Sequence, residues 1–207
     1  VDKIEAYLKH EKKVFNQALI DEAYIRFKNS VMRQFMTDRA IRSGNMYTTL
    51  VTKSCARQSA YNFHGFEPEE MPPRVNINFF CGDLIELTVL MLAKMSGVPI
   101  EDNNQYLYVN RNGEQLACKP DGYFFDGKDY YNVEIKKMSD YIFDTFNEGK
   151  LDDSWGYQSQ ASMECLAWKQ SKRPVKGTLF IGIKGLTGHM AEKFIPYDES
   201  LITKLFD

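Results

Sequence analysis

The sequence predicts one domain built on a mixed β-sheet with helices on its faces, an α/β or α+β fold. Apolar residues recur at helical spacing through the first part of the chain. From Gln105 onward they follow strand patterns, punctuated by the turn pairs Asn112-Gly113 and Asp126-Gly127. A chain of 207 residues that is 43% hydrophobic can bury a core of one ordinary domain. The expected element order is therefore helix, three strands, helix and strand, and a strand after a crossover helix can lie parallel to its neighbour.

The front of the chain predicts helices. Residues 3–42 repeat apolar positions at helical spacing without Pro or Gly, and a further helix is expected over 48–63. A Pro-rich loop, 67–73, follows. The next helix, 82–95, is apolar nearly all round, which predicts a buried helix.

Strand patterns dominate the rest. The turn pairs predict an antiparallel three-strand meander over 105–110, 115–125 and 129–138. After it we expect a helix over 154–170, strands over 177–184 and 193–197, and a short C-terminal helix.

Composition excludes some classes of protein. The four cysteines contain no CxxC pair, so neither a zinc knuckle nor a disulfide framework is expected. No segment approaches the roughly 20 uncharged apolar residues of a membrane span, which predicts a soluble, cytoplasmic protein without a membrane partner. Residues 1–66 hold 11 Lys and Arg against 6 Asp and Glu, whereas the remainder is acidic. The basic N-terminal part could bind phosphates and the acidic remainder could bind cations, although solubility explains such an imbalance equally well.

A candidate site follows from the second turn pair. If Asp126-Gly127 forms a two-residue loop, Asp121 lies opposite Asn132. Side chains alternate along a strand, so Glu134 and Lys136 share the face of Asn132. Asp121 and Glu134 are then diagonal neighbours whose carboxylates can converge on one ion.

These residue types suit phosphodiester chemistry. Two carboxylates and a substrate phosphate can hold Mg²⁺, which prefers oxygen ligands and retains several waters. Lys136 could orient or deprotonate an attacking water, or stabilise developing negative charge, and the sequence does not choose between these roles. The alternative is that Glu134 and Lys136 are an ordinary solvated strand face.

Pro120-Asp121 followed by Glu134-Ile135-Lys136 resembles the signature of the PD-(D/E)XK nuclease superfamily. The resemblance implies a restriction-endonuclease-like core of order αβββαβ over about residues 80–185, with 1–66 as a helical N-terminal region of the same domain. It also implies Asp121, Glu134 and the backbone carbonyl of Ile135 as metal ligands. Glu86 resembles the further acidic ligand of the first core helix, although Asp83 and Glu86 also fit a helix capping box.

Two other segments resemble the branch that contains RecB-like and phage lambda-type exonucleases. Tyr157 to Met163 resembles its Gln-containing helix, which implies Gln158 as a catalytic residue, with Gln160 as competitor. The segment from Ser54 to Arg57 resembles the helix before the core. The resemblance assigns Arg57, Ser54 and Gln160 to DNA binding.

The function implied is a Mg²⁺-dependent DNA exonuclease of phage or bacterial recombination, repair or replication, with Mn²⁺ as a substitute. The expected partners are DNA ends or single strands, a possible second copy of the chain, and a single-strand annealing or recombination protein. No iron–sulfur cluster is expected, because no cysteine follows Cys165. The alternatives are a structure-specific or restriction-type endonuclease, with RNA as a less favoured substrate, and a non-catalytic nucleic-acid-binding module.

Overall fold

The computed structural model contains helices and two β-sheets. It describes residues 1–10, 16–36, 46–53, 56–67, 69–102, 105–150, 156–185 and 187–206. The helices are α1 Asp2–Lys9, α2 Gln17–Val31, α3 Thr48–Lys53, α4 Ala56–Phe63, α5 Pro73–Met95, α6 Asp140–Asn147, α7 Tyr157–Gln170 and α8 Glu199–Phe206; a π-helical turn, Met32–Met36, extends α2. The strands are β1 Met46–Tyr47, β2 Ile100–Asp102, β3 Leu107–Arg111, β4 Glu114–Cys118, β5 Gly122–Phe125, β6 Tyr130–Met138, β7 Gly177–Lys184 and β8 Met190–Pro196. The predicted mixed sheet with flanking helices is confirmed.

The larger sheet has five strands in the order β2-β5-β6-β7-β8. Strand β6 runs antiparallel to β5 and parallel to β7, and the crossover between β6 and β7 contains α6 and α7. The elements α5, β2, β5, β6, α7 and β7 have the order αβββαβ. However, β2 takes the place of the predicted strand 105–110, which belongs to the smaller sheet, and α6 precedes α7 in the crossover.

Helices cover both faces of this sheet. On one face, α5 packs against β6 through a cluster that includes Val89, Leu90, Val133 and Ile135. On the other face, α7 contacts β6 and β7. The β6 face that holds Asn132 and Glu134 is therefore buried rather than solvated, because α7 lies over it. Strand β6 is the centre of the fold, with one apolar and one polar buried face.

The smaller sheet has the order β1-β4-β3 and packs on α7. Its hairpin closes through Asn112-Gly113 as predicted, since Arg111 pairs with Glu114 and both turn residues have positive φ. The expected single strand 115–125 is wrong, because it divides at Lys119-Pro120 into β4 and β5, which belong to different sheets. Proline lacks the N–H that a continuous ladder needs, so pairing stops there.

The second predicted turn is also wrong in length. Phe125 pairs with Tyr130, which leaves a four-residue loop at 126–129. Asp126 holds this loop, because its Oδ1 accepts the backbone N–H groups of Lys128 and Asp129 at 2.8 Å each. Tyr123 rather than Asp121 therefore lies opposite Asn132. The shift is two residues, which is one side-chain period, so residues keep their predicted faces.

Helix α5 corrects two expectations. It begins at Pro73, so Asp83 and Glu86 lie inside the helix and form no capping box. It is also not a buried helix, because only Val89, Leu90 and Ala93 are buried. Its length and composition alone would allow it to cross a membrane, a test that core helices of soluble proteins also pass. Since α5 packs on α1, α2 and the larger sheet, the structure is consistent with a soluble protein.

Other elements refine the predictions for the N-terminal region and the thiols. The region is helical as expected, in α1 and α2, with 11–15 and 37–45 outside the described residues. The sequence did not predict β1, β2 or α6, of which β1 and β2 are only two and three residues long.

Cys81, Cys118 and Cys165 are free thiols as expected, and burial raises the pKa of Cys165 to about 12.

Candidate active site

A cavity of about 740 Å³ opens where the carboxyl end of β6 meets α5. The α5 wall contributes Phe79, Gly82, Asp83 and Glu86, one turn after another on one helix face. The opposite wall comes from the ends of β6 and β7 and the start of α6: Asp121, Ile135, Lys136, Lys137, Met138, Ser139, Asp140 and Gly185. Four carboxylates and two ammonium groups line this space, so it is acidic overall.

Asp121 and Glu86 are the acids of the two facing walls. Asp121 directly precedes β5, and its Oδ2 accepts the backbone N–H of Ile135 at 2.7 Å. Burial raises the pKa of Asp121 well above its usual range, and the charges of Glu134 and Glu86 raise it further. Burial also raises the pKa of Glu86, with Glu134 and Asp83 adding repulsion against the attraction of Lys119. The three acids are therefore close enough to repel one another when ionised.

Glu134 lies on β6 at 2% exposure, which leaves its charge dependent on protein partners. Its Oε1 accepts a hydrogen bond from Gln160 Nε2 at 2.9 Å and contacts Lys136 Nζ in an ion pair. Burial alone would lower the pKa of Lys136, but the charges of Glu134 and Asp121 raise it above the ordinary value. Lys136 is thus a cation held against a buried carboxylate.

A second layer of buried polar groups lies behind Glu134. Gln160 Nε2 also donates to Glu164 Oε1 at 2.8 Å, and Asn132 Nδ2 donates to Glu164 Oε2 at 2.9 Å. Trp168 Nε1 donates to Asn132 Oδ1 at 2.8 Å, which fixes the amide of Asn132. Burial and the charge of Glu134 raise the pKa of Glu164 to about 8. Gln160 thus links the second layer to Glu134, which contacts the cavity-lining Lys136.

The predicted residues therefore divide into two groups. Asp121, Glu134, Lys136 and Glu86 converge, and Ile135 lines the same cavity. Of the two glutamines, Gln160 contacts Glu134, whereas Gln158, two residues earlier on α7, is half-buried. The expectation that Gln160 contacts DNA is wrong, because its side chain is buried between two carboxylates.

The two remaining DNA-binding candidates stay predictions. Arg57 is exposed near the start of α4, as a phosphate contact requires, and it does not line the cavity. Ser54 lies outside the described residues.

The fold has a counterpart among solved proteins. The chain is similar to SSO0001, known from a crystal structure, with a TM-score of 0.56 and 16% sequence identity, over 90% of this chain and 83% of that one. At that identity the likeness shows the fold alone. No model of a protein family matches the chain, and no curated protein matches its sequence. The function must therefore be argued from the residues of the site.

The donor set of the cavity fits a divalent cation. Carboxylate oxygens are the ligands that Mg²⁺ prefers, and a cation between Glu86, Asp121 and Glu134 would offset the repulsion that raises the pKa of the first two. Across the described ranges, no group of three or more His, Cys, Asp or Glu side chains already stands at metal-binding geometry. Gln160 and Lys136 both contact Oε1 of Glu134, so a cation would bind Oε2 or displace Lys136.

Sequence reasoning missed three side chains of this region. Phe79 lines the cavity at 48% exposure. Lys137 lines it beside Lys136. Glu164 had a usable signal, since an acid on a helix of small apolar residues needs a buried partner.

Proposed function

We propose that this protein is a divalent-cation-dependent nuclease of the PD-(D/E)XK kind that hydrolyses phosphodiester bonds in DNA. The observation that carries the proposal is that Asp121, Lys136 and Glu86 line one acidic cavity, with the buried Glu134 in contact with Lys136 beside them. Acids whose pKa values are raised by burial and mutual repulsion are a common property of functional sites.

The charge balance of the cavity supports a role for cations. Asp83 pairs with Arg33, but Glu86, Asp121 and Asp140 still outnumber Lys136 and Lys137, so a phosphodiester would be repelled without added positive charge. Mg²⁺, or Mn²⁺ in its place, would supply that charge and lower the pKa of a water that attacks phosphorus. Glu86, Asp121, Glu134 and the carbonyl of Ile135 are the groups proposed to hold it.

The pKa of Lys136 argues against one of the three roles left open for it, the deprotonation of water. The charges of Glu134 and Asp121 keep the pKa of Lys136 above its ordinary value, so the side chain remains protonated at neutral pH. A protonated ammonium can orient a water or stabilise the charge that develops on the phosphate, but it cannot accept a proton. We therefore assign Lys136 to orientation and charge stabilisation.

We assign Gln160 a positioning role beside Glu134, in place of the catalytic role that the resemblance implied for Gln158. Gln160 Nε2 holds Glu134 Oε1, and its position on α7 is fixed by Glu164. A hydrogen bond from a fixed amide restricts a metal-binding carboxylate to one rotamer. Residues that contact metal ligands, rather than the metal itself, usually have this function.

Within this activity we propose an exonuclease that acts on DNA ends or single strands in phage or bacterial recombination, repair or replication, in the cytoplasm. A cavity of about 740 Å³ has the size of a small-molecule pocket, which suits a short stretch of one strand better than an intact duplex. Partners proposed on the same basis are a second copy of the chain and an annealing or recombination protein.

The test is digestion of end-labelled linear DNA and covalently closed circular DNA, with Mg²⁺ or with EDTA. We expect linear DNA to be degraded only with Mg²⁺ and the circle to survive. Lys136→Ala should lower the rate by about 100-fold or more, because it removes a preorganised charge at the reaction centre. Glu134→Gln should behave similarly, because it removes a carboxylate while keeping the shape of the side chain.

The matched control is Lys128→Ala, an exposed lysine in the 126–129 loop at the far end of the hairpin. It should cut as wild type does, and circular dichroism should show that all variants fold. Cleavage of the circle would identify an endonuclease, and faster cleavage of RNA in parallel would move the substrate from DNA to RNA. Absence of Mg²⁺-dependent cleavage of any of these would refute the proposal and leave a binding module.

A further inference from the structure

Gly82 is unusual for its place in α5. It lies in the middle of a 23-residue helix, where glycine costs about 1 kcal/mol relative to alanine. A Cβ added at Gly82 would meet no atom within 4 Å, so no neighbouring side chain requires the glycine. The open space that a side chain would enter is the cavity, which Gly82 lines.

Phe79 stands one turn before Gly82 on the same wall. Its ring is 48% exposed and lines the cavity. Glu86 lies seven residues beyond Phe79, which is about 10 Å along the helix axis. A phosphate at the carboxylates and its attached sugar and base can span that distance across the bare backbone of Gly82.

Two described neighbours of this groove, Asp83 and Lys137, do not block it. Asp83, the next residue, is turned toward the end of α2, where Arg33 pairs with it at 2.7 Å and Ser30 and Gln34 donate to it. On the opposite wall, Lys137 packs along Gly185, and within the described part of the chain it forms no ion pair. Its ammonium is therefore available to a phosphate that enters the groove.

The geometry points to a nucleobase subsite, in which Phe79 stacks on an unpaired base and Gly82 forms the floor that admits the nucleotide. Every base has a face that can stack on an aromatic ring, so the subsite reads no sequence, but it requires a base that is out of a duplex. This inference rests on the proposed function, since it takes the phosphate next to that base to be the one at the carboxylates.

The experiment uses a short single-stranded DNA oligonucleotide with one 2-aminopurine, a base whose fluorescence falls when it stacks. Binding is measured with Ca²⁺ in place of Mg²⁺, and the strand is checked for integrity afterwards. Wild type should quench the probe when it occupies one position of the strand. Phe79→Ala should abolish that quenching and weaken binding by about 5-fold to 100-fold.

Ile77→Ala is the matched control, because Ile77 is 53% exposed on the same helix and does not line the cavity. It should bind and quench as wild type does. Gly82→Leu should lose the quenching while its melting temperature stays level or rises, since leucine is the better helix former. A merely structural glycine would show the opposite pattern.

The outcomes separate this subsite from the nuclease proposal. If wild type quenches the probe but cuts no DNA with Mg²⁺, the nuclease function fails and the subsite stands. If wild type cuts DNA while Phe79→Ala or Gly82→Leu still quenches, the subsite is overturned and the function stands. Failure of wild type to bind or quench the strand also overturns the subsite.

Discussion

The amide of Gln160 donates from one nitrogen to two buried acids, Glu134 and Glu164. Its Oε1 is buried and has no hydrogen-bond partner among the residues that the structure describes. Turning the amide over would place that oxygen against the Glu134 carboxylate, so Glu134 fixes its orientation. The unpaired oxygen destabilises the fold, whereas the hydrogen bond from Nε2 holds Glu134 in one position.

Replacing the two glutamines of α7 separately tests this assignment. Gln160→Ala should lower nuclease activity by about 10- to 100-fold, because Glu134 loses the group that orients it. Gln158→Ala, two residues earlier on the same helix, should lower it much less. The measurement is the initial rate of linear DNA digestion, and a larger loss with Gln158→Ala would return the role to Gln158.

Glu164 makes the stability of the fold depend on pH. Its pKa is raised from 4.5 to about 8 by burial and by Glu134, so folded protein keeps a proton that unfolded protein loses. Its contribution is fully present below about pH 4.5 and is lost as the pH rises toward about 8. In EDTA, the melting temperature should therefore fall over this window, and Glu164→Gln should flatten the slope. An unchanged slope in the variant would show that Glu164 is ionised in the fold.

Helix α7 is placed by a close contact at its start. Gly156 has a φ of +66°, and a Cβ there would lie 2.2 Å from the carbonyl oxygen of Thr52 at the end of α3. Since the obstacle is backbone, a side chain at 156 would push α3 and α7 apart. Gln160 and Glu164 would move with α7.

Gly156→Ala should therefore destabilise the protein by about 1–3 kcal/mol, through strained φ and a backbone clash together. Gly188→Ala is the matched control, because Gly188 also has a positive φ of +73° but open space around it. Urea unfolding should show the larger loss for Gly156→Ala, with a fall in activity. Equal losses would mean that φ alone matters.

The whole molecule should respond to divalent cations. Glu86, Asp121 and Glu134 repel one another in the folded state, and the unfolded chain has no assembled site. Mg²⁺ at about 100 times its Kd should thus stabilise the fold by about 2.7 kcal/mol. The measurement is the shift in melting temperature between Mg²⁺ and EDTA at matched ionic strength. The shift should vanish in Glu134→Gln. If Mg²⁺ does not change the melting temperature of wild type, a cation site that forms on folding is excluded.

Some parts of the fold could be predicted from local sequence signals. The helical periodicity of α1, α2, α7 and α8 and the Asn112-Gly113 turn depend on neighbours a few residues apart. The acid, acid and lysine at 121, 134 and 136 were also readable, because strand alternation survives a two-residue error in register. That error arose because Asp126-Gly127 suits a two-residue loop, whereas Asp126 caps a longer one.

By itself, the sequence determined that this chain forms a mixed α and β domain with carboxylates and a lysine on one central strand, since periodicity and alternation are properties of a few adjacent residues. Only the tertiary structure decided that the strands divide between two sheets, that Gln160 rather than Gln158 holds Glu134, and that Phe79 lines the cavity. These depend on contacts between residues far apart in the chain. Such contacts form only when α5 and α7 close over opposite faces of β6.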